Sequence, residues 1–226
     1  MTKAEIDSAY NSLWLRFSTT CRNAKLSVKP LHSIGYNSKP DADKRVKVDA
    51  LIYLKDWPYK ANSKHDKSVD ILVQSTETFS CDLNVMTHST VQATYFRTKD
   101  NAATPISAIH YDFRTPVDRA HPVFHAQFGV TKFDPEKIKA VGFRKQIQEV
   151  ENPHYGNLKI PTPYMNFASV LLGVAADHLP HNFFDKFLVE LRSNQGILWN
   201  ASCDKLRSSL VGKGGFLHSH HWYSVQ

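Results

Sequence analysis

Among the 226 residues of this chain, His110, Asp112, His125 and Gln127 have the types and spacing that could do chemistry. They fall in ISAIHYDFRTPVDRAHPVFHAQFGV, residues 106–130, which reads as two strands joined by a polar turn. Side chains of a strand alternate between faces. If Ile109, Tyr111 and Phe113 share a face with Phe124, Ala126 and Phe128, then His110, Asp112, His125 and Gln127 share the other. Imidazole changes protonation near neutral pH, and a neighbouring carboxylate selects its tautomer. Two such groups on adjacent strands suit general acid–base work on a phosphoester. The same set suits a divalent metal, with Asp112 as a direct or outer ligand. His121 and His125 lie about 13 Å apart along an extended strand, so His110/His125 or Asp112/His125 is the better pair. Arg114 and Arg119, at the turn end, are placed to receive a phosphate bidentately, with His121 beside them. The competing reading is structural: histidines and amides on a half-covered sheet face often hydrogen-bond only to one another.

The positioning elements follow from the patterning. Thr2 and Glu5 have capping-box spacing. Ile6, Tyr10, Leu13, Trp14, Phe17 and Cys21 recur at helical spacing, which predicts a helix over 3–25. Residues 29–45 read as loop. Val46–Leu54 alternates as a strand, and Asp56–Lys67 reads as a polar connection. Val69–Thr76, Phe79–Val85 and Val91–Thr98 read as three further strands before the 106–130 hairpin. The short connections favour antiparallel neighbours. Asp134-Pro135 opens a short helix ending near Gly142. Thr162-Pro163 opens a strongly apolar helix ended by Pro180, Asn182 caps another, and 200–211 forms a last short one. The tail FLHSHHWYSVQ reads as a final strand. The expected fold is α+β: one domain over 1–226, with an N-terminal helix (1–27), a five- to six-stranded antiparallel sheet (46–130), a helical region (134–211) and a tail (212–226). The sheet is expected to be covered by the N-terminal helix and the C-terminal helices.

Composition narrows the partners. The net charge of +7 and pI of 9.2 favour an anionic partner, such as nucleic acid or a nucleotide, or an acidic protein. The basic residues are scattered, apart from clusters at Lys44-Arg45-Lys47 and Arg144-Lys145. Cys21, Cys81 and Cys203 show no C-x-x-C spacing, which suits reduced thiols in a cytoplasmic protein. No apolar run approaches the roughly 20 residues of a membrane span, and the polar start MTKAEIDSAYNSL is unlike a signal peptide. His218, His220 and His221 form a second histidine group that reads as solvated. His178 reads as a core histidine. His88-Ser-Thr90 superficially matches one H-x-[ST] element, but no second copy exists, and Gly212-Lys-Gly-Gly215 lacks phosphate-loop spacing.

HYDF…AHPVFHAQFG, followed by IPTPYMNFASVLLGVAADHL, resembles uncharacterised bacterial domain families, some encoded in mobile or antiphage-defence neighbourhoods. The resemblance covers roughly residues 106–180 and implies a bacterial accessory or defence protein, without assigning a role to any residue. Two functions are therefore expected to compete. In one, a histidine-rich sheet pocket binds or acts on a phosphate-bearing ligand, with or without a divalent metal. In the other, a non-enzymatic module binds a protein partner in a defence or toxin–antitoxin-like complex.

Overall fold

The spine of the molecule is a sheet whose two faces differ in chemistry. The structure, a computed structural model, describes residues 2–30, 45–59, 68–80, 85–114, 124–129, 133–148, 159–161 and 165–193. These form helices α1 (Lys3–Asn23), α2 (Pro135–Ala140), α3 (Phe167–His178) and α4 (His181–Ser193). The strands are β1 (Ser27–Pro30), β2 (Arg45–Pro58), β3 (Ser68–Ser80), β4 (Val85–Lys99), β5 (Ala102–Arg114), β6 (Phe124–Phe128), β7 (Gln146–Ile147) and β8 (Lys159–Pro161). The sheet runs β1-β2-β3-β4-β5-β6-β8, and β7 lies off that path, paired to β5.

The α+β class holds, but the sheet is mixed where an antiparallel one was expected: Ala102 and Ala103 of β5 pair in parallel with Gln146 and Ile147. It also has more strands than five or six. β1 straddles the start of the 29–45 stretch read as loop, and β7 and β8 form inside the region read as helical. Each is only two to four residues long, too short for alternation to announce. Of the expected strand Phe79–Val85, Phe79 and Ser80 end β3 and Val85 opens β4, with Ser80 paired to Val85, while residues 81–84 lie outside the described residues. Asp56, Trp57 and Pro58, read as connection, continue β2. The α4 helix begins one residue before the expected cap, with the Pro180 carbonyl accepting from Phe183 and Phe184. The expected helix at 200–211 and the tail strand lie outside the described residues.

Local signals explain the helices. Thr2 and Glu5 close a capping box on α1. Asp134 caps α2 with Pro135 at its first position. Asn166 accepts from Ser169 N–H to start α3.

Register then decides which residues meet. On the first face, Ile52, Val73 and Ala93 line up across β2, β3 and β4, as do Val48, Glu77 and Ser89. Phe17 and Tyr10 of α1, Leu171 and Val174 of α3, and Phe187 of α4 pack with the apolar members of this face into one core. Trp57 joins it because an irregularity between Leu54 and Trp57 reverses the alternation, with Asp56 taking a left-handed φ of 54°. The second face is apolar at one end only. There Leu51, Tyr53, Leu72, Phe96 and Ala103 pack with Val141 and Phe143 after α2. Beyond that end the second face turns polar.

Candidate functional site

The polar part of the second face is built row by row from the pairing. One row reads Leu51, Gln74, Gln92, His110, Gln127 across β2 to β6. The next reads Asp49, Thr76, Thr90, Asp112, His125, and a third reads Lys47, Thr78, His88, Arg114 across β2 to β5. His110, Asp112, His125 and Gln127 therefore occupy one face, as the alternation requires, with Asp112 directly opposite His125 and His110 opposite Gln127. Arg114 is placed by its backbone at the end of β5. Arg119 and His121, and with them the expected phosphate-receiving turn, lie outside the described residues.

The two imidazoles converge on a single carboxylate oxygen. His110 Nε2 lies 3.3 Å from Asp112 Oδ2, and His125 Nε2 lies 3.5 Å from the same atom. His110 Nε2 also meets Gln127 Oε1 at 3.3 Å. With two acceptors on that side, Nε2 carries the proton, so Nδ1 holds the lone pair of the neutral ring. The Nδ1 atom of His110 is buried. Side-chain exposure falls from 28% at Asp112 to 11% at His110 and 3% at His125. The carboxylate is the open member of the cluster and His125 the closed one.

The electrostatics follow from these contacts. Hydrogen bonding to Asp112 holds the His110 imidazolium above the ordinary histidine range, against the opposing effect of burial; the Gln127 side chain and the Gly129 carbonyl also favour the charged ring. Burial pushes the Asp112 carboxyl up. Hydrogen bonds from His110 and Thr90, together with the charges of His110 and His125, outweigh that and bring it down. The result is a half-buried ion pair with a second imidazole at its back.

No protein-family model, curated protein or solved structure matches this chain. What the cluster can do therefore has to be argued from its own atoms. It can pass protons between imidazoles through a shared carboxylate, and it can present a charged ring to an anion. A divalent metal is less well served. Both Nε2 atoms are aimed at Asp112 Oδ2, and among the described residues no group of three His, Cys, Asp or Glu is disposed to hold one ion.

Two contributors were expected to matter only as a discounted H-x-[ST] match. Thr90 stands opposite Asp112 and hydrogen-bonds to it, and His88 Nε2 lies 3.4 Å from Thr90 Oγ1. The signal was present in the sequence: His88, Thr90, Gln92 and Thr94 alternate with Ser89, Val91 and Ala93, a polar series on a long strand. Glu77 was missed for another reason. It is fully buried on the first face, where Tyr10 Oη, Ser89 Oγ (3.0 Å) and Phe167 N–H (3.0 Å) all donate to it. Burial pushes its carboxyl up against those donors. Glu77 pins α1 and the start of α3 to the sheet and faces away from the histidines. His178 is structural as expected: it is buried, its Nδ1 donates to the Pro58 carbonyl at 2.7 Å, and its ring packs on Tyr95 and Trp57. Among the described residues no helix is long and apolar enough to cross a membrane.

Proposed function

We propose that the polar face of the sheet binds a phosphate-bearing ligand, a nucleotide or nucleic acid, and that the Asp112-centred cluster is its acid–base element. One observation carries the reading. His110 is held in its charged form by Asp112 and Gln127, in contact with a carboxylate whose side chain is 28% exposed. A ring kept charged beside the open edge of the cluster offers a ligand's anionic oxygen a fixed positive charge. In this reading His110 donates a proton to, or takes one from, a phosphoester oxygen. Asp112 orients it, His125 supplies the second imidazole, and Gln127 holds the tautomer. Arg114, Arg119 and His121 meet the phosphate. The net charge of +7 draws such ligands in. The HYDF…HAQFG resemblance gives the setting, a bacterial accessory or defence protein of the cytoplasm.

A panel of nucleotides and short RNA and DNA strands, assayed for binding and hydrolysis, tests this. His110→Ala and Asp112→Asn should abolish the response while the melting temperature moves by only a few degrees. The reading falls if no phosphate ligand binds, or if both variants keep full binding.

The second reading is a protein-binding module in which the histidines only tie the sheet. Two observations favour it: His125 is nearly sealed, and Phe128 and Ile160 are 39% and 38% exposed. Their positions in the pairing put both on the first face of the β6–β8 edge. Its signature is a large stability loss in both variants with no ligand found.

A further inference from the structure

Exposed cations without a carboxylate partner gather at one end of the sheet, away from the histidine cluster. Arg22 and Lys25 lie at the close of α1 and its turn into β1, Arg97 and Lys99 end β4, and Arg144 comes just before β7. Each is exposed, and none makes an ion pair among the described residues. Lys55 and Lys145 at the same end are already neutralised, by Asp56 at 3.5 Å and Asp70 at 3.8 Å. Asp100 in the β4–β5 turn and Asp177 near the end of α3 are the opposing exposed acids, and on α4 Asp185 and Lys186 adjoin. The cations outnumber the acids. At the opposite end Lys47 is paired with Asp49 at 3.5 Å, and Lys3 stands alone at the start of α1.

Register sets the spacing of these charges. Ser27 pairs with Lys55, Trp57 with Val69, Asp70 with Phe96, Arg97 with Thr104, and Ala102 with Gln146. The cations therefore follow the ends of successive strands from β1 to β7. Five interstrand gaps make a line of about 24 Å. Tyr59 falls within it: it follows Pro58, the last residue of β2, and is 49% exposed.

A line of separated cations suits a chain of repeating negative charge better than one small anion. Among such chains the tyrosine decides. An unpaired base stacks on an exposed aromatic ring, whatever its sequence, and an acidic peptide has no equivalent contact to make. We propose that this end of the sheet is a docking surface for single-stranded nucleic acid, its backbone held by Lys25, Arg97, Lys99 and Arg144 and a base stacked on Tyr59. The surface goes beyond the phosphate reading and does not depend on it. On β5 the strand rises about 26 Å between Ala102 and His110.

The test titrates the full chain with a fifteen-nucleotide oligouridylate across a salt series, beside a fifteen-residue oligoglutamate and adenosine monophosphate. The oligonucleotide should bind, with log affinity falling linearly in log salt by about 0.7 per phosphate contact. Replacing Arg97, Lys99 and Arg144 together by Ala should lower that slope by about 2 and weaken binding about a hundredfold at 0.1 M salt. Tyr59→Ala should weaken binding about fivefold to a hundredfold and leave the slope alone, because it removes stacking and no charge. Lys3→Ala should change neither. If the triple Ala variant fails to fold, Gln at the same positions carries the same comparison. An oligonucleotide that does not bind, an unchanged slope in the folded triple variant, or an unchanged affinity in Tyr59→Ala overturns the assignment. Oligoglutamate bound as tightly as the oligonucleotide also overturns it and makes the surface a protein-docking one. An oligonucleotide that binds with the expected slope while adenosine monophosphate does not bind supports this surface and counts against the cluster as a phosphate site.

Discussion

Asp112→Asn is the substitution that most directly separates an ion-paired cluster from a set of neutral hydrogen bonds. Asn keeps the size of the side chain and one acceptor oxygen but removes the charge. Hydrogen bonds to charged groups are worth about 1.5–3 kcal/mol and neutral ones about 0.5–1.5. Replacing one by the other at His110, with Asp112 partly open to solvent, costs about 1–2 kcal/mol where His110 is protonated. The pH window follows from the two directions. His110 is raised, so its contribution is complete below its unfolded value of 6.5 and is lost as pH rises through its folded value. Asp112 is lowered, so its contribution is complete above its unfolded value of 3.8 and is lost as pH falls through its folded value. Both operate between those limits, so the variant loses most near pH 5.5 and little near pH 9. For a chain of this size the loss at pH 5.5 is about 2–8 °C in melting temperature. Thermal unfolding at both pH values measures it, and the His110 ring titration should move down in the variant. An equal loss at the two pH values, or an unmoved titration, refutes the ion pair.

Two further perturbations test the frame that holds the cluster. Glu77→Ala leaves Tyr10, Ser89 and the Phe167 amide without their acceptor and should cost about 3–5 kcal/mol in denaturant unfolding. Glu77→Gln should cost less, and its deficit should shrink as pH rises. The raised carboxyl of wild-type Glu77 gives a contribution that is complete below 4.5 and lost as pH climbs through the folded value. His178, whose pKa burial lowers against the Pro58 hydrogen bond, behaves in the opposite sense to His110. Its contribution is complete above 6.5 and is lost on acidification, so His178→Leu should cost about 1–2 kcal/mol at pH 8 and less at pH 5 in the same unfolding assay.

What could be read from the residues is what periodicity controls. The hairpin face was legible because Ile109, Tyr111 and Phe113 must share a side with Ala126 and Phe128, and a one-residue slip would move every one of them to the other side. The capping box of α1 and the Asp134-Pro135 start of α2 are local chemistry and were equally plain. The short strands were not, because Val28 of β1 and Ile160 of β8 offer one apolar residue each, and their pairing is decided by neighbours distant in sequence. Irregular pairing hid more. The shift between Leu54 and Trp57 keeps the tryptophan in the core although simple alternation sends it outward. Glu77 looks like a surface acid in QSTETFS, and only its place in the series Ile71, Val73, Ser75, Phe79 reveals that it faces inward. Thr90 belongs to the legible polar series of β4, but its importance comes from standing opposite Asp112, which only the pairing decides.

The energetic argument for a site rests on the contrast between the two faces. The first face meets α1, α3 and α4 with aliphatic and aromatic side chains and spends one buried carboxylate on joining them. The second is mostly apolar beneath Val141 and Phe143, where Asp70 and Thr94 are buried polar members, and then places Gln92, His110 and His125 in buried positions. Apolar side chains of similar volume hold such positions at equal or lower cost, because buried polar groups must first be stripped of water. A sheet that needed only to be covered would gain from continuing the Leu72–Phe96 pattern along its whole length. It changes instead at the row where the histidines begin, and the change runs across every strand from β3 to β6. A local accident of packing would alter one or two neighbouring positions. A substitution of character over a whole region of the face, centred on a carboxylate that two rings share, is what the proposed ligand-binding reading requires.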